Sequence, residues 1–192
     1  MLPLRGLIVT VLLGLVASSC SQAGVVLGQK PVDLTVPNGI DVGFNHRAVS
    51  RYRSPLSGAW RNGDNLEQML INAIKSAEKE ILVAVQELSL PRIAESLVAA
   101  SRRGVNVNVI LENNYSTPWS QQHELDLSRH GRKRLQRLKV EADQDQNGVV
   151  SPEEERKSDA LLILQNGQIA WIDDTEDGSK GSGLMHHKFV VI

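Results

Sequence analysis

The sequence predicts an α/β domain, a βαβ-type sheet flanked by helices and carrying a helical insertion. Three features predict it: apolar residues at helical spacing, two apolar runs of strand length, and a second helix between those runs. The 192 residues, 41% of them hydrophobic, can bury one core of ordinary size. A formal charge of -1 gives no global basic field, so composition does not select a substrate class.

The first 20 residues have the pattern of a secretory signal. Arg5 precedes an apolar run at 7–16, which is too short to span a membrane, and small residues follow up to Cys20. This sole cysteine resembles the acylated residue of a bacterial lipoprotein, although Ala17 replaces the usual leucine, so ordinary signal-peptidase cleavage stays open. We expect an extracytoplasmic protein that is periplasmic, membrane-anchored through Cys20, or secreted, with no internal disulfide.

Residues 21–63 are rich in Gly, Pro, Ser and Asn, and they predict a tether followed by an extended segment. From 64 onward a regular order begins, with a first helix capped by Asp64 or Asn65. The continuous apolar run 81–85 is typical of a strand covered on both faces.

A second helix should then begin at Pro91 and end at Gly104, followed by a strand at 105–111. Strand, helix and strand at this spacing indicate a right-handed βαβ crossover. Glu87 and Glu112 fall near the carboxyl ends of the two strands, where open α/β sheets commonly bind ligands. They steer a substrate, orient a histidine or are solvated charges at the strand ends.

An insertion follows at about 120–159, and it opens with a basic helical segment at 129–139. Such a cluster contacts phosphates or lipid head groups in some proteins, but is more often simply solvated.

The insertion then spells a calcium-binding loop at 143–154. Oxygen ligands alternate along it, Gly148 permits a sharp turn, and Val150 supplies a small hydrophobic anchor. The pattern matches the EF-hand loop, and an acidic linker is the alternative. We expect one structural calcium ion, bound with a Kd of roughly 0.1 to 1 mM. The expected ligands are Asp143, Asp145, Asn147, Val149, Ser151 and Glu154.

After the insertion, the pattern predicts a short helix at 159–164, a turn at 165–168 and a strand at 169–172. A glycine-bearing acidic loop at 173–183 then leads to a terminal strand, GSGLMHHKFVVI, which we expect to be buried. Strand alternation puts His186 and Lys188 on one side, rooted about 6.6 Å apart, and His187 on the other. That span suits one phosphate, whereas a core or metal-binding histidine is the simpler alternative.

Histidine, any residue and lysine before an apolar strand form the first half of the HxKxxxxD signature, and here the chain resembles the phospholipase D superfamily of phosphodiesterases. The texts VQELSLPRIAESL, VILENNYS and DDTEDGSKGSGLMHHKFVVI resemble secreted bacterial members, so the resemblance covers about 64–192, a phospholipase D-like half. It implies that His186 attacks phosphorus, a second motif's histidine protonates the leaving oxygen, and Lys188 holds the phosphate, without a catalytic metal.

The signature aspartate and the second HxK motif are absent from these 192 residues. We therefore expect a truncated, incomplete site that is inactive alone and needs a second HxK half in cis or a homodimer. The substrate is a phospholipid or a nucleic-acid phosphodiester, which the residues do not distinguish. The alternative is an inactive fragment or an envelope-anchored module that binds calcium or another protein.

Overall fold

The computed structural model describes residues 39–46, 48–55, 57–175 and 185–192. The chain divides into two compact units, Met1–Asp41 and Val42–Ile192, and every helix and strand given below lies in the second. The expected signal, its Cys20 and most of the tether lie outside the described residues. Within the described residues, the search for a helix that could cross a membrane finds none.

The second unit begins with a hairpin, where the sequence predicted a single extended segment. Strand β1 (Arg51–Arg53) pairs antiparallel with β2 (Trp60–Asn62). The carboxylate of Asp64 ties the hairpin to the preceding chain, since it accepts hydrogen bonds from Phe44 N at 3.0 Å and Ser50 Oγ at 2.7 Å. The single-segment prediction missed the pairing because both strands are only three residues long.

The central sheet has four strands in the order β5-β4-β3-β6. Strands β3 (Glu80–Val85), β4 (Asn106–Leu111) and β5 (Trp171–Asp173) run parallel, and β6 (Lys188–Val191) runs antiparallel to β3. The predicted strand–helix–strand unit is confirmed, because β3 and β4 are parallel neighbours joined by a helix.

Three helices cover one face of this sheet. Helix α1 (Leu66–Ser76) is capped by Asn65, whose side chain accepts from Gln68 N at 3.0 Å. Helix α2 (Pro91–Arg102) begins with proline as predicted, and Gly104 follows it at a φ of 92°. Helix α5 (Ala160–Asn166) packs on α2. Together they bury the main core: Ile71, Ile74, Ala77, Ile81, Val83, Ile93, Ala94, Leu97, Val98, Ala100, Val105, Val109, Leu111, Ala160, Leu161, Leu164 and Ile169.

The opposite face of the sheet corrects two predictions. Strand β3 was expected to be covered on both sides, yet Leu82 is 38% exposed, and Ile110 of β4 is 37% exposed. Strand β6 was expected to be buried, yet it is the last of four strands and Phe189 and Val191 are half exposed. Among the described residues, helices cover only the face that carries Ile81 and Val83.

The predicted insertion forms a helix–loop–helix with a small core of its own. Helix α3 (Arg129–Ala142) ends where the acidic loop begins, and α4 (Pro152–Ser158) starts inside the loop's last third. Leu135, Leu138 and Ala142 bury against Trp119 in what we call the insertion core, with Val150 packed against it. The predicted role of Val150 as a hydrophobic anchor is confirmed by this contact.

Candidate functional site

Polar side chains from four strands meet at one edge of the sheet. Because β6 is antiparallel, it begins at the edge where β3, β4 and β5 end. Lys188 pairs with Val85, the last residue of β3, and Val85 pairs with Leu111, the last of β4. The side chains at the edge are therefore those that follow β3, β4 and β5 and those that precede β6: Gln86, Glu87, Glu112, Asp174, His186 and His187.

Lys188 reaches back over the start of its own strand. Its Nζ donates to the carbonyl of His186 at 3.0 Å and to Gln86 Oε1 at 3.0 Å. Both His186 and Lys188 are exposed, so a solute can reach them.

The side chains near Lys188 alternate between the two faces of the sheet, as in a regular strand. Val190, two residues on, packs against the main core, whereas the rings of His187 and Phe189 meet edge to face with centroids 6.3 Å apart. Strand β6 starts at Lys188, so His186 precedes the regular strand. The backbone pairing nevertheless continues one step further, because Gln86 N donates to the carbonyl of His187 at 3.1 Å.

The sequence did not decide whether Glu87 has a role at the site or is a solvated charge. In the structure, the insertion holds its side chain. Arg134 Nε donates to its Oε1 at 2.8 Å, and the Arg134 side chain is only 9% exposed. The same guanidinium donates to Gln122 Oε1 at 3.3 Å and lies 5.1 Å from the centre of the Tyr115 ring. Solvation is thus the wrong interpretation for Glu87 and for Arg134, although most other cations of α3 are exposed.

Glu112 has a structural position at the end of β4. It is 2% exposed and caps a 3-10 turn (Asn113–Tyr115) by accepting from Asn114 N at 2.9 Å and Asn114 Nδ2 at 2.6 Å. Asp174 accepts from Asn113 N at 3.0 Å, which joins the ends of β4 and β5. Hydrogen bonds from Thr175 to Asp173 lower the pKa of that carboxyl. These acids fix loops beside the site.

A family model described as "Cardiolipin synthase, PLD-like domain" matches residues 70–192, well over half of the chain. The chain belongs to this phospholipase D-like family. Membership confirms the resemblance drawn from the HxK segment and the α/β fold expected with it, and it supports phosphodiester chemistry in general. No curated protein matches the chain.

The acidic loop of this phospholipase D-like domain brings three carboxylates together. One carboxylate oxygen each from Asp143, Asp145 and Glu154 lie within 4.8 Å of one another. Amide hydrogen bonds hold Asp143 in place, from Asn147 N at 3.1 Å and Gly148 N at 2.8 Å. Gly148 has a φ of 85°, which permits the turn. The residue types fit a hard cation that prefers oxygen ligands.

Glu154 closes the loop onto its own beginning. Its Oε1 accepts from Gln144 N at 2.8 Å, and its Oε2 accepts from Ser151 N and Ser151 Oγ, each at 2.8 Å. The Ser151 hydrogen bonds are the main cause that lowers the pKa of Glu154 to about 2. Asp145 N donates to Oε1 as well, at 3.4 Å, so the four lone-pair sites of this carboxylate all accept hydrogen bonds, and a cation bound to it would replace some of them.

A cavity of about 740 Å³ opens between the hairpin, the amino ends of α1 and α2, and the insertion. Trp119 of the insertion core lines it, as do Gln144 of the acidic loop and Lys157 of α4. The acidic loop therefore forms part of one wall, together with the Trp119 ring.

Two important residues were not found from the sequence. Gln86 follows an apolar strand without any motif, so nothing in the sequence indicated its contact with Lys188, 102 residues away. Arg134 was one of six cations in the basic segment, and only the fold shows which of them meets Glu87.

Proposed function

We propose that this phospholipase D-like domain supplies the nucleophile and the phosphate ligand of a phosphodiesterase. The observation that carries the proposal is the position of the HxK segment at the start of β6, at the edge where the parallel strands end. His186 would be the nucleophile and Lys188 the phosphate ligand. The imidazole is suited to this chemistry, because it is a neutral nucleophile or a cationic acid at physiological pH.

The reaction has two displacements. A ring nitrogen of His186 attacks phosphorus, the bond to the leaving oxygen breaks, and that oxygen takes a proton from a second histidine. Water then attacks the phosphohistidine and gives a proton to the second histidine, which releases the phosphate monoester and restores both histidines. The HxK pattern occurs once in the 192 residues, so we propose that a second HxK half, in cis or in a homodimer, provides the acid.

Lys188 would hold the phosphate through charge and direction. An ammonium about 4 Å from a phosphate oxygen interacts with it by roughly 4 kcal/mol at an effective dielectric of about 20, before desolvation and solvent screening. Because Lys188 is exposed, we expect a net contribution of about 1 to 2 kcal/mol.

The insertion would bind one calcium ion with a structural role. The proposed ligands are Asp143, Asp145, Asn147, Val149, Ser151 and Glu154. The helix–loop–helix arrangement supports this role, since α3 ends just before Asp143 and α4 begins at Pro152. Bound calcium would offset most of the negative charge of the three clustered carboxylates and stiffen the loop, away from the reacting phosphorus.

The substrate would be a phospholipid or a nucleic acid, encountered outside the cytoplasm if Cys20 ends a lipoprotein signal. The exposed cations of α3, Arg132, Lys133 and Arg137, give a polyanion a surface to approach.

The test is to trap the covalent intermediate. The protein is combined with a second HxK half, incubated with phosphatidylcholine vesicles or plasmid DNA, with and without a calcium chelator, quenched in alkali and mapped by mass spectrometry. We expect a phosphoryl adduct on His186 with one substrate class. The adduct should be absent in His186→Ala. It should be retained in His187→Ala, the control, because the His187 ring contacts Phe189 instead.

The alternative is a calcium-binding module without catalysis. The completeness of the acidic loop favours it, because all three carboxylates and the permissive glycine are in place. No adduct with either substrate, together with retained calcium binding, would favour this alternative over the enzyme.

A further inference from the structure

Gln86 contacts two residues of the HxK segment, His187 and Lys188. Its amide N donates to the carbonyl of His187 at 3.1 Å, and its Oε1 accepts from Lys188 Nζ at 3.0 Å. The ammonium has three N–H groups, of which a second goes to the carbonyl of His186. Among the described residues the third N–H has no acceptor, so it is available to a phosphate oxygen.

The residue next to Gln86 is anchored by the insertion. Glu87 pairs with Arg134, and that guanidinium is buried between Tyr115 and Gln122. The pair is partly buried, since the Glu87 side chain is 23% exposed, and its further hydrogen bonds restrict its geometry more than that of an exposed pair of flexible side chains. The backbone at 86–87 is therefore fixed on one side by β6 and on the other by α3.

We propose that Gln86 is a positioning residue for Lys188, and that the Glu87–Arg134 pair holds Gln86 in place. This inference rests on the proposed function, because that function gives Lys188 a phosphate to bind. Gln86 Oε1 and the His186 carbonyl each fix the direction of one N–H of the Lys188 ammonium, so the remaining N–H points away from both.

A neutral amide is the appropriate acceptor at this position. A carboxylate in place of the amide would bind the ammonium as an ion pair and repel the incoming phosphate. An apolar side chain of similar size would instead release the ammonium to sample many directions. A positioning role therefore predicts different effects for the two replacements, whereas a purely structural role predicts similar ones.

The experiment titrates the whole chain with inorganic phosphate and follows the amide signals of 187–191 by NMR. We expect Gln86→Met to weaken phosphate binding about threefold, the loss of one hydrogen bond. Gln86→Glu should weaken it about tenfold, since an ion pair and a repulsion are added. Gln136→Glu, which adds the same charge on the exposed side of α3, should change it less than twofold.

The anchor is tested by hydrogen exchange of the Gln86 amide. Arg134→Met should speed this exchange about tenfold or more, while β4 amides such as Val109 keep their protection. Arg137→Met, which removes an exposed arginine of the same helix, should leave the Gln86 amide unchanged.

Equal phosphate affinities in wild type and Gln86→Met, or equal losses of affinity in Gln86→Met and Gln86→Glu, would overturn the positioning role. If the wild type binds no phosphate, the proposed function fails, and the Lys188 Cε signal then decides the positioning. A Cε shift that differs between wild type and Gln86→Met supports the contact, and an identical shift overturns it. Unchanged Gln86 exchange in Arg134→Met overturns the anchor.

Discussion

Asp159 joins two segments that are far apart in the sequence. It is 1% exposed, and Oδ2 accepts from Ser120 N at 2.9 Å and Ser120 Oγ at 2.8 Å. Its Oδ1 caps α5 by accepting from Leu161 N at 3.1 Å. The sequence predicted a helix that begins at this residue, but nothing local indicated the contact with Ser120.

Asp159→Ala should lower the free energy of unfolding by about 2 to 4 kcal/mol, because it leaves several buried donors without an acceptor. Asp159→Asn, which keeps one carbonyl acceptor, should cost about 1 kcal/mol less. Urea unfolding measures both. A loss below about 0.5 kcal/mol in Asp159→Ala would contradict this role.

Acid should loosen the loop through Glu154. Hydrogen bonds from Ser151 lower the pKa of this carboxyl from 4.5 to about 2 in the folded chain. A lowered folded pKa means that the stabilisation is present above 4.5 and is lost as the pH falls from 4.5 towards 2. The amide signals of Gln144 and Ser151 should follow this loss, and Glu154→Gln should remove it. Signals that titrate identically in the variant would contradict the assignment.

The bounds of the main elements were predicted better than the burial of the strands, for a physical reason. Caps and apolar spacing are local, so α1, α2 and α5 were placed within a few residues of their observed ends. Whether other elements cover a strand depends on residues that are far away in the sequence. Strand β3 shows this, because the run 81–85 is equally apolar on both faces. The strand predicted at 169–172 begins two residues further along the chain, as β5 (Trp171–Asp173), since pairing with β4 selects its register.

Gly167, at the end of α5, tests the packing of α5 on α2. A Cβ there would lie inside contact distance of Val98, 2.8 Å from its Cγ1. Gly167→Ala should therefore destabilise the chain by about 1 to 3 kcal/mol, and the added substitution Val98→Ala should relieve part of that strain. Gly131→Ala, inside α3, is the control and should stay within about 1 kcal/mol of wild type. Equal stability of Gly167→Ala and wild type would contradict the packing.

At the scale of the whole molecule, calcium should stabilise the insertion. At about 100 times its Kd, a ligand that binds only the folded chain adds about 2.7 kcal/mol. Calcium should raise the unfolding midpoint and change the fluorescence of Trp119, and Asp145→Ala should abolish both effects. Asp126→Ala, which removes an exposed acid outside the loop, should respond like wild type. A response that survives in Asp145→Ala would place the ion elsewhere.

The sequence indicated the HxK segment, the acidic loop and the family, because each depends on spacing along the chain. It did not indicate that the insertion contacts the end of β3, since that contact joins Glu87 to Arg134 across 47 positions. The fold therefore adds the connection between the two motifs, through Gln86 and its neighbour.

The most direct test of the account is phosphate binding at the start of β6. The chain is titrated with inorganic phosphate by NMR, as wild type, Lys188→Met and Lys133→Met, the last removing an exposed charge from α3. We predict that the largest shifts fall at 186–188, and that Lys188→Met weakens binding about tenfold while Lys133→Met changes it less than twofold. Equal weakening in both variants, or shifts confined to α3, would contradict a phosphate site at His186 and Lys188.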